Sequence, residues 1–103
     1  MEIVRGTTPT IRYTFKTLDV TDITTAYLMI KQSGAKVIDR GLDTATVGTD
    51  YLEWKLTQTE TLKLTEDILA DICLDWLLDD GTRGIGKTVT VQVSSSAKNE
   101  VIS

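Results

Sequence analysis

Short runs in which every second residue is apolar recur along the chain, and glycine-bearing turns separate them. That period belongs to strands with one face buried. In residues 10–16, Ile11, Tyr13 and Phe15 alternate with Arg12, Thr14 and Lys16, which predicts a strand with its odd positions inward. Pro9 stands near its start, where a missing N–H is tolerated, and pushes Thr8 toward extended geometry. Ala26, Leu28 and Ile30 share one face of the next strand, Ser33-Gly34 supplies a turn, and residues 36–40 pair back as a hairpin that Gly41 breaks. A short strand near Thr46-Val47 turns at residues 48–50 into a run where Leu52, Trp54 and Leu56 point one way and Glu53 and Lys55 the other. Residues 2–5 are long enough for a first short strand.

Thr57 and Glu60 have the spacing of a capping box, so a short helical turn opens there and crosses from one sheet to the other. Residues 65–80 carry two patterns. Ile68, Ala70, Ile72, Leu74, Trp76 and Leu78 alternate as on a strand, while Asp67, Asp71, Asp75 and Asp79 repeat as on a helix. The strand is preferred, because a helix would set Asp75, Asp79 and Asp80 at its negative end with no cation in the segment to offset them. The turn sequence at residues 79–82 then leads into Val89, Val91 and Val93, which alternate cleanly. The pattern predicts an all-β fold: an immunoglobulin-like antiparallel β-sandwich of about seven short strands with one short helical turn. Residues 1–95 form a single domain, Trp54 and Trp76 are large core pieces, and residues 96–103 form a polar tail in which Val101 and Ile102 are able to dock.

Composition narrows the function classes. The chain of 103 residues contains no histidine, which removes Ser–His and Cys–His pairs and the commonest zinc ligand together. One cysteine, Cys73, forms no internal disulfide and fits a reducing compartment. The net charge is −4 and the basic residues are scattered, so the basic footprint that nucleic acid requires is missing. No apolar run has membrane-spanning length, and the acidic start is unlike a signal peptide. The expectation is a soluble protein made in the cytoplasm, with no nucleic-acid or membrane partner.

The loudest motif is residues 81–88, which satisfies the spacing of a phosphate-binding loop with Gly81, Gly86, Lys87 and Thr88. That loop needs a helix to begin at Lys87, but residues 88–96 are β-branched, alternating and serine-ended, a poor helix-forming run. The reading is a hairpin connection without nucleotide. On a strand, Asp71 and Asp75 stand about 13 Å apart, too far for paired catalytic carboxylates or a shared metal ion, and read as a solvated face. Asp79-Asp80 has no calcium-loop spacing around it. Cys73, flanked by two carboxylates that disfavour a thiolate nucleophile, reads as a small filler. Tyr27, Met29, Leu69 and Leu77 are apolar yet point outward; they lie under a loop or mark a contact surface for another chain. No catalytic, cofactor-binding or metal-binding residue is assigned. The chain is read as no enzyme, with no cofactor, and a small-molecule ligand is not the leading expectation.

The segments IVRGTTPTIRYTF, LTQTETL, DDGT before VTVQV, and EVI together resemble small virion structural proteins of phages and prophages of Gram-positive bacteria. These are about one immunoglobulin-like domain long; the chain is similar, more distantly, to the N-terminal domain of phage upper baseplate proteins. The resemblance is diffuse, runs over most of the chain and carries no site residues. It implies a structural or adaptor module of the tail, baseplate or neck, with other phage structural proteins or further copies of itself as partners and a virion location. The alternative is a ligand-binding module, for example for host-surface glycan, which calls for exposed aromatics.

Overall fold

A computed structural model describes residues 1–103. It shows two sheets packed face to face. The larger contains β1 (Glu2–Val4), β9 (Val89–Ser94), β7 (Ala70–Leu78), β3 (Ile23–Gln32) and β4 (Ala35–Gly41) in that order, and β8 (Arg83–Ile85) also pairs with β7. The smaller has the order β2 (Thr10–Thr14), β6 (Tyr51–Lys55), β5 (Thr46–Val47). Every pairing is antiparallel except β1 with β9, which is parallel. The fold is the predicted immunoglobulin-like sandwich. Its nine strands exceed the expected seven or so, and the strand the pattern does not show is β8, which forms within the segment read as a hairpin connection.

The elements form for the reasons their residues suggest. Ser33 and Gly34, the two loop residues between β3 and β4, both take positive φ (52° and 79°), the geometry of a tight hairpin turn. Helix α1 (Gln58–Leu62) carries both halves of the capping box and connects the small sheet to the large one. The inward positions meet in one core with Ile11, Leu28, Ile30, Leu52, Trp54, Ile72 and Leu74 all buried. The Trp54 indole satisfies its N–H on the Gly41 carbonyl at 2.9 Å.

Residues 70–78 are a strand, with Ala70, Ile72 and Leu74 buried. Three particulars differ from expectation. Ile68 is not inward: it is 40% exposed, because Asp67 takes φ 64° and the chain turns there before the ladder to β9 begins at Ala70. Trp76 is inward but only half-buried, at the margin of the core beside Tyr13 and Phe15. Val89, at the head of β9, is exposed, whereas Val91 and Val93 are buried.

Candidate functional site

The outer face of the large sheet carries three of the apolar residues that do not serve the core, Tyr27, Leu77 and Ile85. Tyr27 on β3 lies opposite Asp75 on β7, and Met29 opposite Cys73. On the far side of β7, Asp75 faces Ile85 and Leu77 faces Arg83. Tyr27 is 50%, Leu77 39% and Ile85 70% exposed. Asp75 stands among these three, and the half-buried pair Met29 and Cys73 forms the next row of the face, on the side away from Leu77. The Arg83 guanidinium and the Asp75 carboxylate form an ion pair of 2.7 Å across the patch. A shallow depression opens among Thr25, Tyr27, Leu77 and Arg83. Exposed apolar side chains crossed by a charged pair have the mixed composition found on protein contact surfaces. Leu69 is also exposed, but precedes β7 in the chain and is not part of the strand.

The phosphate-loop lookalike has a structural explanation. Gly81 takes φ +87° in the turn before β8, where its N–H donates to the Leu78 carbonyl. Gly84 pairs with Trp76, and a Cβ there would stand 2.2 Å from the indole ring, so the absence of a side chain lets the ring lie against the β8 backbone. Gly86 does the same for Tyr13, whose ring a Cβ would meet at 2.8 Å. Tyr13, Phe15 and Trp76 form an aromatic cluster with centroids 4.9–5.9 Å apart. Strand β9 begins at Val89, so no helix N-terminus stands at Lys87. The glycines accommodate aromatic rings, and the geometry that binds phosphate is not built.

The aspartates of β7 are each occupied locally. Asp71 accepts from the Thr90 hydroxyl at 2.7 Å, and Asp75 takes Arg83. Asp19, Asp22, Asp79 and Asp80 lie near one another at one end of the sandwich. Bonds from Thr21 hold Asp19 below the ordinary carboxylate range, and bonds from Thr82 do the same for Asp80. Desolvation, with the charges of Asp79, Asp19 and Asp80, pushes Asp22 upward. No group of three or more histidine, cysteine, aspartate or glutamate side chains is arranged to hold a metal ion.

Two polar residues that the pattern alone does not single out tie the elements together. Buried Gln32 donates to the Thr65 and Ile68 carbonyls (2.8 and 3.0 Å) and accepts from the Thr65 N–H at 2.8 Å, which fixes the segment entering β7. Arg40 bonds Glu60 at 2.8 Å and the Lys55 carbonyl at 3.1 Å, joining the edge of the large sheet to the capping box. Ile85 is equally inconspicuous in the sequence, because its flanking glycines read as loop; only its β-branched side chain marks it as strand.

No protein-family model matches the chain, and no curated protein matches it. Among solved structures it is similar to the immunoglobulin-like domain of mouse leukocyte-associated immunoglobulin-like receptor 1, determined as a strand-swapped dimer. The identity is 12%, with 90% of this chain and 85% of that one covered and a TM-score of 0.54. The V domain of amphioxus IgVJ-C2 aligns at 10% identity over 91% of this chain and 99% of that one, with a TM-score of 0.37. The likeness to the mouse domain shows the fold. No helix is long and apolar enough to cross a membrane.

Proposed function

We propose that this protein is a structural or adaptor module of a phage particle, acting through protein–protein contacts in the tail, baseplate or neck. The observation that carries the contact reading is the outer face of the large sheet, where Tyr27, Leu77 and Ile85 stand exposed around Asp75, beside the half-buried row of Met29 and Cys73. The phage setting is supported by the segments in which the sequence resembles small virion proteins, and by a fold of the kind those proteins have. Residue chemistry fits a non-enzymatic role: the carboxylates of the sheet are engaged with Thr90 and Arg83 instead of each other. The strand-swapped dimer of the mouse domain is a precedent on this fold for copies joined through their strands. Glycan binding is less well supported, since Trp54 is buried, Trp76 faces Tyr13 and Phe15, and Tyr27 stands as a single exposed aromatic rather than part of a platform.

The test is co-expression with the products of neighbouring genes, followed by purification on a tag carried by this chain. A defined complex that Tyr27→Asp together with Leu77→Asp dissolves, without lowering the melting temperature, is the expected result. Absence of any partner among those products, with no self-association, would refute the reading.

A further inference from the structure

Strand β2 is paired on one side only. Its neighbour is β6, and the smaller sheet ends at β2. Two bonds fix the phase of that ladder: the Leu56 N–H donates to the Pro9 carbonyl at 2.9 Å, and the Phe15 N–H to the Asp50 carbonyl at 2.7 Å. Bonded and non-bonded pairs alternate along an antiparallel ladder. Ile11 and Tyr13 therefore bond to β6, and the N–H and C=O groups of Thr10, Arg12 and Thr14 point toward the open side. All three residues are exposed.

Beside this edge the two sheets do not close on each other. A cleft of about 260 Å³ reaches core residues Ile11, Leu28, Trp54, Ile72 and Leu74, with Met1 and Val89 at its walls. Arg12 and Lys87 are the charged residues lining it, and no carboxylate does. Arg12 is already paired with Glu53 at 2.7 Å, whereas Lys87 makes no ion pair. An open strand edge next to an apolar cleft is the arrangement that accepts an added strand: the backbone supplies hydrogen bonds and the cleft takes alternate side chains. The charge on its rim selects a strand carrying a carboxylate.

This chain has such a segment. Residues 100–102 read Glu-Val-Ile and lie outside both sheets, with Val101 50% and Ile102 63% exposed. Their own copy holds them away from the cleft. Val101 lines a shallow depression with Thr8, Leu56 and Gln58, and the Gln58 amide grips the Ile102 backbone with bonds of 2.7 and 3.1 Å. Two β2 edges are poor partners for each other, since symmetric antiparallel pairing sets Arg12 opposite Arg12.

We infer that the open edge of β2 and its cleft receive residues 100–102 of a second copy as an added strand, with Glu100 at Lys87, giving a head-to-tail assembly. Such an interface uses different surfaces on the two copies, so it propagates into a ring or a filament. The inference rests on the reading of the protein as a contact module but uses a different surface from the Tyr27 patch.

Sedimentation velocity on the full chain over a range of concentrations tests it. The wild type is expected to self-associate. Thr14→Pro blocks the open edge while leaving the β2–β6 bonds in place, and Val101→Asp spoils the inserted segment at an exposed position. Each is expected to weaken association by about tenfold or more. Mixed together, they are expected to form a 1:1 dimer that grows no further, because one retains the segment and the other the edge. Lys87→Glu and Glu100→Lys each weaken association, and the two together restore it. A wild type that stays monomeric, or association indifferent to Val101→Asp, overturns the inference; the second result needs no variant within a strand. Association lost on Tyr27→Asp but kept in Thr14→Pro and Val101→Asp also overturns it, and leaves the contact-module reading standing.

Discussion

Replacing Gly84 with alanine probes the claim that glycines in the 81–88 segment exist to seat aromatic rings. Gly84 lies across from Trp76, and an added Cβ would come within 2.2 Å of the indole. The ring is rigid and is held on its other sides by Tyr13 and Phe15, with centroids at 5.9 and 5.1 Å, so it cannot turn aside without disturbing both. Overpacking of this kind costs roughly 1–3 kcal/mol. The backbone at Gly84 does not take positive φ, so alanine brings no backbone strain and stiffens the unfolded chain, a gain of about 0.4–1 kcal/mol. The net expectation is a loss of about 1–2 kcal/mol. Trp76→Ala alone removes a large, half-buried side chain and should cost roughly 2–4 kcal/mol, below the range for full burial. In the Trp76→Ala background nothing remains for the new methyl to strike, so Gly84→Ala should become stabilising by about 0.4–1 kcal/mol. Urea unfolding of the four proteins in the cycle measures each value. A Gly84→Ala variant as stable as the wild type, or the same loss in both backgrounds, would refute the packing argument.

Gln32→Leu should cost roughly 1–3 kcal/mol in urea unfolding, because it removes the buried side chain that satisfies part-buried backbone groups of Thr65 and Ile68, and hydrogen exchange should speed up in residues 65–69 before it does in β7. Titration calorimetry with magnesium and ATP at millimolar concentration should register no binding; micromolar affinity lost on Lys87→Ala would show that the 81–88 segment does form a phosphate cradle. The aspartate group should make stability depend on pH in opposing senses. Asp22, raised in the fold by desolvation and its acidic neighbours, opposes folding when charged, so Asp22→Asn should raise the melting temperature at pH 7, with the gain fading as pH falls through the carboxylate range. Asp80, lowered by its bonds from Thr82, contributes stability above its unfolded pKa that is lost as pH falls through its folded value, so Asp80→Asn should lower the melting temperature at pH 7.

Alternation carries most of the architecture. Ile72 and Leu74 point inward because a one-residue slip would expose the whole face, and this leaves little freedom in register. The capping box at Thr57 and Glu60 and the turn at Ser33-Gly34 are local chemistry, legible without any partner strand. Ile68 departs from its expected inward position because alternation has no marker for where pairing stops; the turn at Asp67 is set by its N–H bonding the Val93 carbonyl, far along the chain. The outward positions of Tyr27 and Leu77 are readable, but that Ile85 joins them depends on β8 lying beside β7. The open edge of β2 is less legible still, since it consists of backbone groups with no neighbour. Pattern shows which side chains face inward; it does not show which strands find a partner.

If the outer face of the large sheet meets another protein, Cys73 is placed to report on it directly. It is the single cysteine, it is opposite Met29 on that face, and it is half-buried. The measurement is the rate at which a small thiol reagent labels Cys73 in the isolated protein and in the complex recovered by co-expression. Labelling should be slowed by at least about tenfold in the complex, with the free rate restored when Tyr27→Asp and Leu77→Asp dissociate it. Equal rates in the free and assembled protein would mean that this face stays open to solvent, and would contradict the account.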